Sequence, residues 1–192
     1  MYNYLKIYLN IIILKNMSTC FNFDNSEIKK TYLTIEDIKK NIIEVNNDEE
    51  RNNLKTLDEF NLFHLISLKK INYDNNTFGL IIIQMKYFYK KNNYDYILKY
   101  ADNKMAMALN TSILCNSPKK MFVLIDFFGM SQKNFSRKFI RLLSKKFNDK
   151  YDGCLAICYL HGNTNFLKVT WPFISTVLEK TTKEKIVILK NN

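Results

Sequence analysis

The chain has 192 residues, 47% of them hydrophobic and 14% aromatic, with only Gly 4 and Pro 2. That length fits one domain with a small appendage, and that composition excludes wholesale disorder, collagen, flexible linker arrays and turn-dense all-β folds. The net charge of +11 favours an anionic partner, but Arg, the residue of bidentate base reading, occurs only at positions 51, 137 and 141, so no specific nucleic-acid recognition is expected.

Residues 4–14, YLKIYLNIIIL, are the most apolar early stretch. They are too few for a spanning helix, which needs about 20 residues, and they lack the basic flank and cleavage site of a signal peptide. The expectation is a cytoplasmic protein with at most peripheral membrane contact. Residues 1–25 read as an extension that is poorly ordered or adds one short element, and residues 26–63 as a helical lead. In that lead Ile28, Tyr32, Ile35, Ile38 and Ile42 recur three or four apart, Thr34 precedes an acidic pair as a helix cap, and 46–53 read as a solvated link.

From residue 64 the period changes. LISLKKINY (65–73) and FGLIIIQMKYF (78–88) flank Asp74-Asn75-Asn76-Thr77, which reads as a hairpin whose second strand is covered on both faces. A helix is expected over 94–114, a strand over 121–129, and a helix after a Ser131 cap, with Phe135, Phe139, Leu142 and Phe147 as its apolar stripe. Its other face carries Lys133, Arg137, Lys138, Arg141, Lys145 and Lys146. A buried strand over 154–160, a helix-prone stretch over 166–178 that Pro172 interrupts or restarts, a turn capped by Thr181 and a last strand over 185–189 complete the order. Strands alternating with helices imply an α/β fold, a mixed and mostly parallel sheet with helices on both faces.

Catalytic motifs are missing. There is no Gly-rich phosphate loop and no nucleophile elbow. Asp126 and His161 each end a strand, where a capping or hydrogen-bonding role is expected. Cys20, Cys115, Cys154 and Cys158 show no zinc spacing and read as small apolar residues in a reducing compartment. No enzyme activity, metal or cofactor is expected.

VLIDFFGMS (123–131), a helix, YDGCLAICYLHGNTNF (151–166), Trp171 and LEKTTKEKIVIL (178–189) together resemble the CRAL-TRIO lipid-binding domain family. The resemblance covers about residues 65–190 and is carried by order and spacing, through Asp126, Gly129, Tyr151, Phe166, Trp171, Leu178, Glu179, Lys185 and Ile186. The sequence departs from the family pattern at Asp152, where a Pro follows the Tyr, and at Gly162–Asn165, where an Asn-Ala-Pro element stands. The resemblance implies a CRAL-TRIO-like domain over 64–192 that binds a phospholipid or similar hydrophobic molecule, non-catalytically, between the sheet and a movable gate helix, with transfer at membranes as a consequence. It implies a lining of Phe122, Leu124, Ala156, Cys158 and Leu160 from the strands and Phe166, Val169, Phe173 and Val177 from the gate. Lys185 would reach a headgroup, and Lys133, Lys138, Lys145 and Lys146 would face an anionic membrane. The alternative it leaves open is a scaffold of the same fold that binds a protein partner, for example a small GTPase, without lipid exchange.

Overall fold

The computed structural model describes residues 34–45, 48–89, 93–131 and 134–189, and the structural statements below concern these. The expected elements before residue 34, and Lys133, lie outside the described residues.

The lead begins with α1 (Ile35–Lys40), which starts at a reciprocal cap: the Thr34 hydroxyl accepts from Asp37 N–H, and the Asp37 carboxylate accepts from Thr34 N–H. The two-residue strand β1 (Ile42–Ile43) follows. Then comes α2 (Asp48–Asn52), in the stretch expected to be a solvated link. Its Glu50 accounts for the difference. It accepts from the Lys104 ammonium at 2.5 Å and from the Tyr100 hydroxyl at 2.6 Å, which ties the segment to a later helix. Helix α3 (Leu57–Leu65) repeats the reciprocal cap with Thr56 and Glu59.

Strands β2 (Ile66–Tyr73) and β3 (Asn76–Gln84) form the expected hairpin, antiparallel with Tyr73 opposite Asn76. Asp74 and Asn75 both have positive φ, 49° and 61°, which the tight two-residue turn demands and which these side chains tolerate. The chain then alternates α4 (Tyr94–Leu114), β4 (Met121–Asp126), α5 (Arg137–Tyr151), β5 (Leu155–His161), α6 (Thr164–Val177), the single turn α7 (Lys180–Lys183) and β6 (Ile186–Ile188). Ser136 caps α5 by accepting from Phe139 N–H, five residues after the expected cap. Helix α6 runs through Pro172 without a break, and Glu179 occupies the cap position of α7.

The six strands lie in sequence order, β1-β2-β3-β4-β5-β6, with β3 to β6 parallel and β1 to β3 antiparallel. The fold is therefore α/β with a mixed, mostly parallel sheet. Same-handed crossovers between successive neighbours put α4, α5 and α6 on one face. That face holds the larger core, with Ile83, Met105, Met121, Phe139, Leu155, Cys158, Leu160 and Ile174 among its members. The smaller core on the other face gathers Phe78, Leu80, Phe122, Leu124, Tyr159 and Val187 under Ile38 of α1.

Candidate functional site

A cavity of about 100 Å³ lies in the larger core, between the sheet and helices α5 and α6. Strand alternation selects its floor. In β4 the odd positions Val123 and Ile125 face it, and in β3 Ile83 does. Parallel register pairs Val123 with Cys158 and Ile125 with Leu160, so these share the face. The walls are Ile140, Leu143 and Phe147 of α5, with Ile174 and Leu178 on the other side. Thr182 of α7 and Ile186 of β6 complete the lining, and among the described residues its polar side chains are Ser144, Asn148 and Thr182.

Of the expected lining residues, the structure brings Cys158 and Leu160 to this cavity. Phe122 and Leu124 alternate to the opposite face and pack in the smaller core. Ala156 packs there too, because the β4–β5 ladder slips: Met121 pairs with Leu155, but Phe122 pairs with Ile157. The extra residue breaks the two-residue period, so a count by twos back from Cys158 reaches Ala156 and misses Leu155, which is the lining residue.

The gate positions are displaced by one. Leu167 and Ile174 of α6 are buried, whereas Val169 is 58% exposed. Phe166 packs its ring against Phe127 and Phe135, and Phe173 packs against Phe135 beneath the Arg137 guanidinium. Val177 is half-buried outside the lining. Sequence reasoning missed Val123, Ile125, Ile174, Leu178 and the α5 wall. The strand members were recoverable from the pairing of Val123 with Cys158, had the ladder been known.

Lys185 stands just before β6, where its carbonyl accepts from Cys158 N–H at 2.9 Å. Its neighbour Ile186 faces the cavity and Val187 the smaller core. Lys185 itself lies in the turn that precedes the strand, is half-buried, and is not among the residues that line the cavity. On α5, Lys138, Arg141 and Lys145 are exposed, Lys138 over the Tyr94 ring. Lys146 is drawn to Asp102 at 4.0 Å.

The chemistry of the cavity is that of an apolar binding space. Burial pushes the Cys158 thiol up to about 12, so it stays protonated and inert. Asp126 and His161 meet at the strand ends, His161 Nδ1 lying 2.8 Å from Asp126 Oδ1, with Phe128 stacked on the imidazole. Asp126 also accepts from Phe128 N–H at 2.9 Å, the strand-end role expected of it. The pair borders an open groove of about 930 Å³ on the other face, which Leu124 also lines. That groove is wider but carries Glu36 paired with Lys39 and Glu44 paired with Lys69. An apolar molecule there would strand these charges from water, so the smaller, apolar cavity is the better candidate. Among the described residues no group of three or more His, Cys, Asp or Glu could hold a metal, and no helix is long and apolar enough to cross a membrane.

The CRAL/TRIO domain model matches residues 70–192, more than half of the chain. No curated protein matches the sequence. Among solved structures, the crystal structure of Sfh5 superposes with a TM-score of 0.55 at 19% identity, covering 97% of this chain and 61% of that one. At that identity the superposition speaks for the fold.

Proposed function

Because the chain belongs to the CRAL/TRIO domain family, a family of lipid and small hydrophobic-molecule binders, we propose that it binds a lipid, without catalysis, in the cavity between the β3–β6 floor and the α5–α6 wall. The observation that carries this reading is the apolar space itself, between the sheet floor and helices α5 and α6. Burial in such a space is worth roughly 0.8 kcal/mol per CH₂, so one acyl chain supplies ample affinity. The volume of about 100 Å³ is smaller than the 300–1,000 Å³ usual for ligand pockets, so room for a whole lipid chain requires α6 to move outward.

Helix α6 is built for such movement. Pro172 has no N–H to give to the carbonyl of Lys168, and the hydroxyls of Thr170, Ser175 and Thr176 bond back to carbonyls of their own helix. The exposed cations Lys138, Arg141 and Lys145 of α5 would hold the protein, cytoplasmic and peripheral, against an anionic membrane during exchange. The same small volume favours a second reading, a filled domain that serves as a protein-interaction scaffold.

Organic extraction of the purified chain followed by mass spectrometry tests the choice. The lipid reading requires a stoichiometric lipid that disappears in Cys158→Trp, a substitution that fills the cavity. A folded protein that yields no lipid, and takes up none from vesicles, returns the domain to the scaffold reading.

A further inference from the structure

Resting on the lipid reading, we infer that the ligand is a single-chain lipid with an uncharged, hydrogen-bonding headgroup, such as an alcohol or ester, held by Ser144, Asn148 and Thr182. Three observations carry this. First, among the described residues no Lys, Arg, His, Asp or Glu side chain lines the cavity. Lys104, the cation next to the lining residue Met105, is held by Glu50, and Lys185 is not part of the lining. A phosphate or carboxylate drawn into this lining would lose its hydration without gaining a counter-charge, which is prohibitive beside a neutral group.

Second, the three polar side chains in the lining are half-buried and bond to no other described side chain, and none of their polar atoms is sealed from water, so they stand where a headgroup at the cavity mouth would meet them. A hydroxyl, an amide and a second hydroxyl offer donors and acceptors together, the complement of a hydroxyl or ester oxygen. They reach the lining from different elements: Ser144 and Asn148 are one turn apart on α5, and Thr182 comes from the turn α7. Third, the cavity is narrow. A volume of about 100 Å³ widens to hold one chain with less displacement of α6 than two would need.

Probes with one tail and different heads separate the possibilities. The delipidated full chain is equilibrated by dialysis with isotope-labelled oleyl alcohol, oleyl phosphate, octadecane and dioleoylphosphatidylcholine. The inference requires oleyl alcohol to bind at least tenfold more tightly than oleyl phosphate or the phosphatidylcholine. It also requires Ser144→Ala/Asn148→Ala to weaken oleyl alcohol about tenfold, the scale of one or two hydrogen bonds, while octadecane binds as before. Binding of every probe must vanish in Cys158→Trp or, should that variant fail to fold, in Ile140→Trp at a half-buried position of the same lining. Equal or tighter binding of oleyl phosphate or phosphatidylcholine, abolished by the filling variant, overturns the uncharged-headgroup inference and leaves the lipid reading standing. No binding of any probe, or binding that survives a filled cavity in a folded variant, overturns the lipid reading and the inference with it.

Discussion

Gly79 sets how closely α4 approaches the sheet. A Cβ built there would lie 2.2 Å from the Ala108 carbonyl oxygen, and the Gly79 N–H donates to the Ser112 hydroxyl at 2.9 Å, within the same helix. Backbone meets backbone, so nothing can swing aside. Gly79→Ala is expected to destabilise by roughly 1–3 kcal/mol or more, read by chemical denaturation. Glu50 and Lys104 form a second sensitive point. Lys104 is 3% exposed, and Glu50→Ala would leave it buried without a counter-charge, a loss of about 3–5 kcal/mol. Glu50→Leu with Lys104→Met should recover most of that loss; a double variant as weak as the single one would show that the charge is not what matters.

Asp102 is the third such residue. Burial raises its pKa, but the Lys150 and Tyr151 hydrogen bonds outweigh this and leave it below the ordinary value of 3.8. Its contribution is present above that value and is lost as pH falls through the lowered one. Tyr151 moves the other way, pushed up to about 12 by burial and by Asp102, so its contribution is complete below 10 and fades as pH rises toward 12. The α4–α5 seam should therefore hold from about pH 4 to about pH 10 and loosen on either side. Unfolding free energies of the parent and of Asp102→Asn, measured at pH 3, 7 and 11, should differ most at pH 7.

At the scale of elements, α6 carries the sharpest expectation. An alanine restores the N–H that Pro172 lacks and removes its ring from the preceding turn, a change worth about 3 kcal/mol in a helix interior. Pro172→Ala should raise the melting temperature and slow lipid release from preloaded protein; faster release would contradict the gate role of α6. The elements were largely legible from the residues. The hairpin turn, the apolar β3 and β4 runs and the long α4 stripe carry strong local patterns, and each formed, α4 over the expected span; the turn tightened to Asp74-Asn75, with Asn76 and Thr77 joining β3, and β3 and β4 end at Gln84 and Asp126, short of residues 88 and 129. The site was less legible because it depends on parity. One extra residue at Ala156 exchanges the faces of β5, and one position along α6 replaces Phe173 by Ile174. Local pattern cannot fix either, since both neighbours are apolar. Helix α2 was missed for a related reason: its anchor, Lys104, is 54 residues further along the chain than Glu50.

For the molecule as a whole, the charge of +11 matters where it is unpaired. Lys146 and Lys150 meet Asp102, whereas Lys138, Arg141 and Lys145 face solvent. Lys138→Glu/Arg141→Glu/Lys145→Glu should cut sedimentation with phosphatidylserine-containing vesicles at least tenfold at low salt, since each juxtamembrane cation is worth about 1 kcal/mol. The difference should shrink as salt shortens the Debye length. Undiminished sedimentation would assign membrane contact to another surface.

The strand order adds a consequence in time. Because each strand lies beside its predecessor in sequence, the sheet can grow by accretion as the polypeptide leaves the ribosome, every new strand finding its edge already waiting. The β2–β3 hairpin comes first, and each helix then closes behind its strand. Leu178, Thr182 and Ile186, which seal the cavity, are made last. A nascent chain stalled after His161 would thus expose a greasy, unroofed floor. Such chains should bind chaperones and be cut by protease around β5, and they should become protected only when synthesis passes β6.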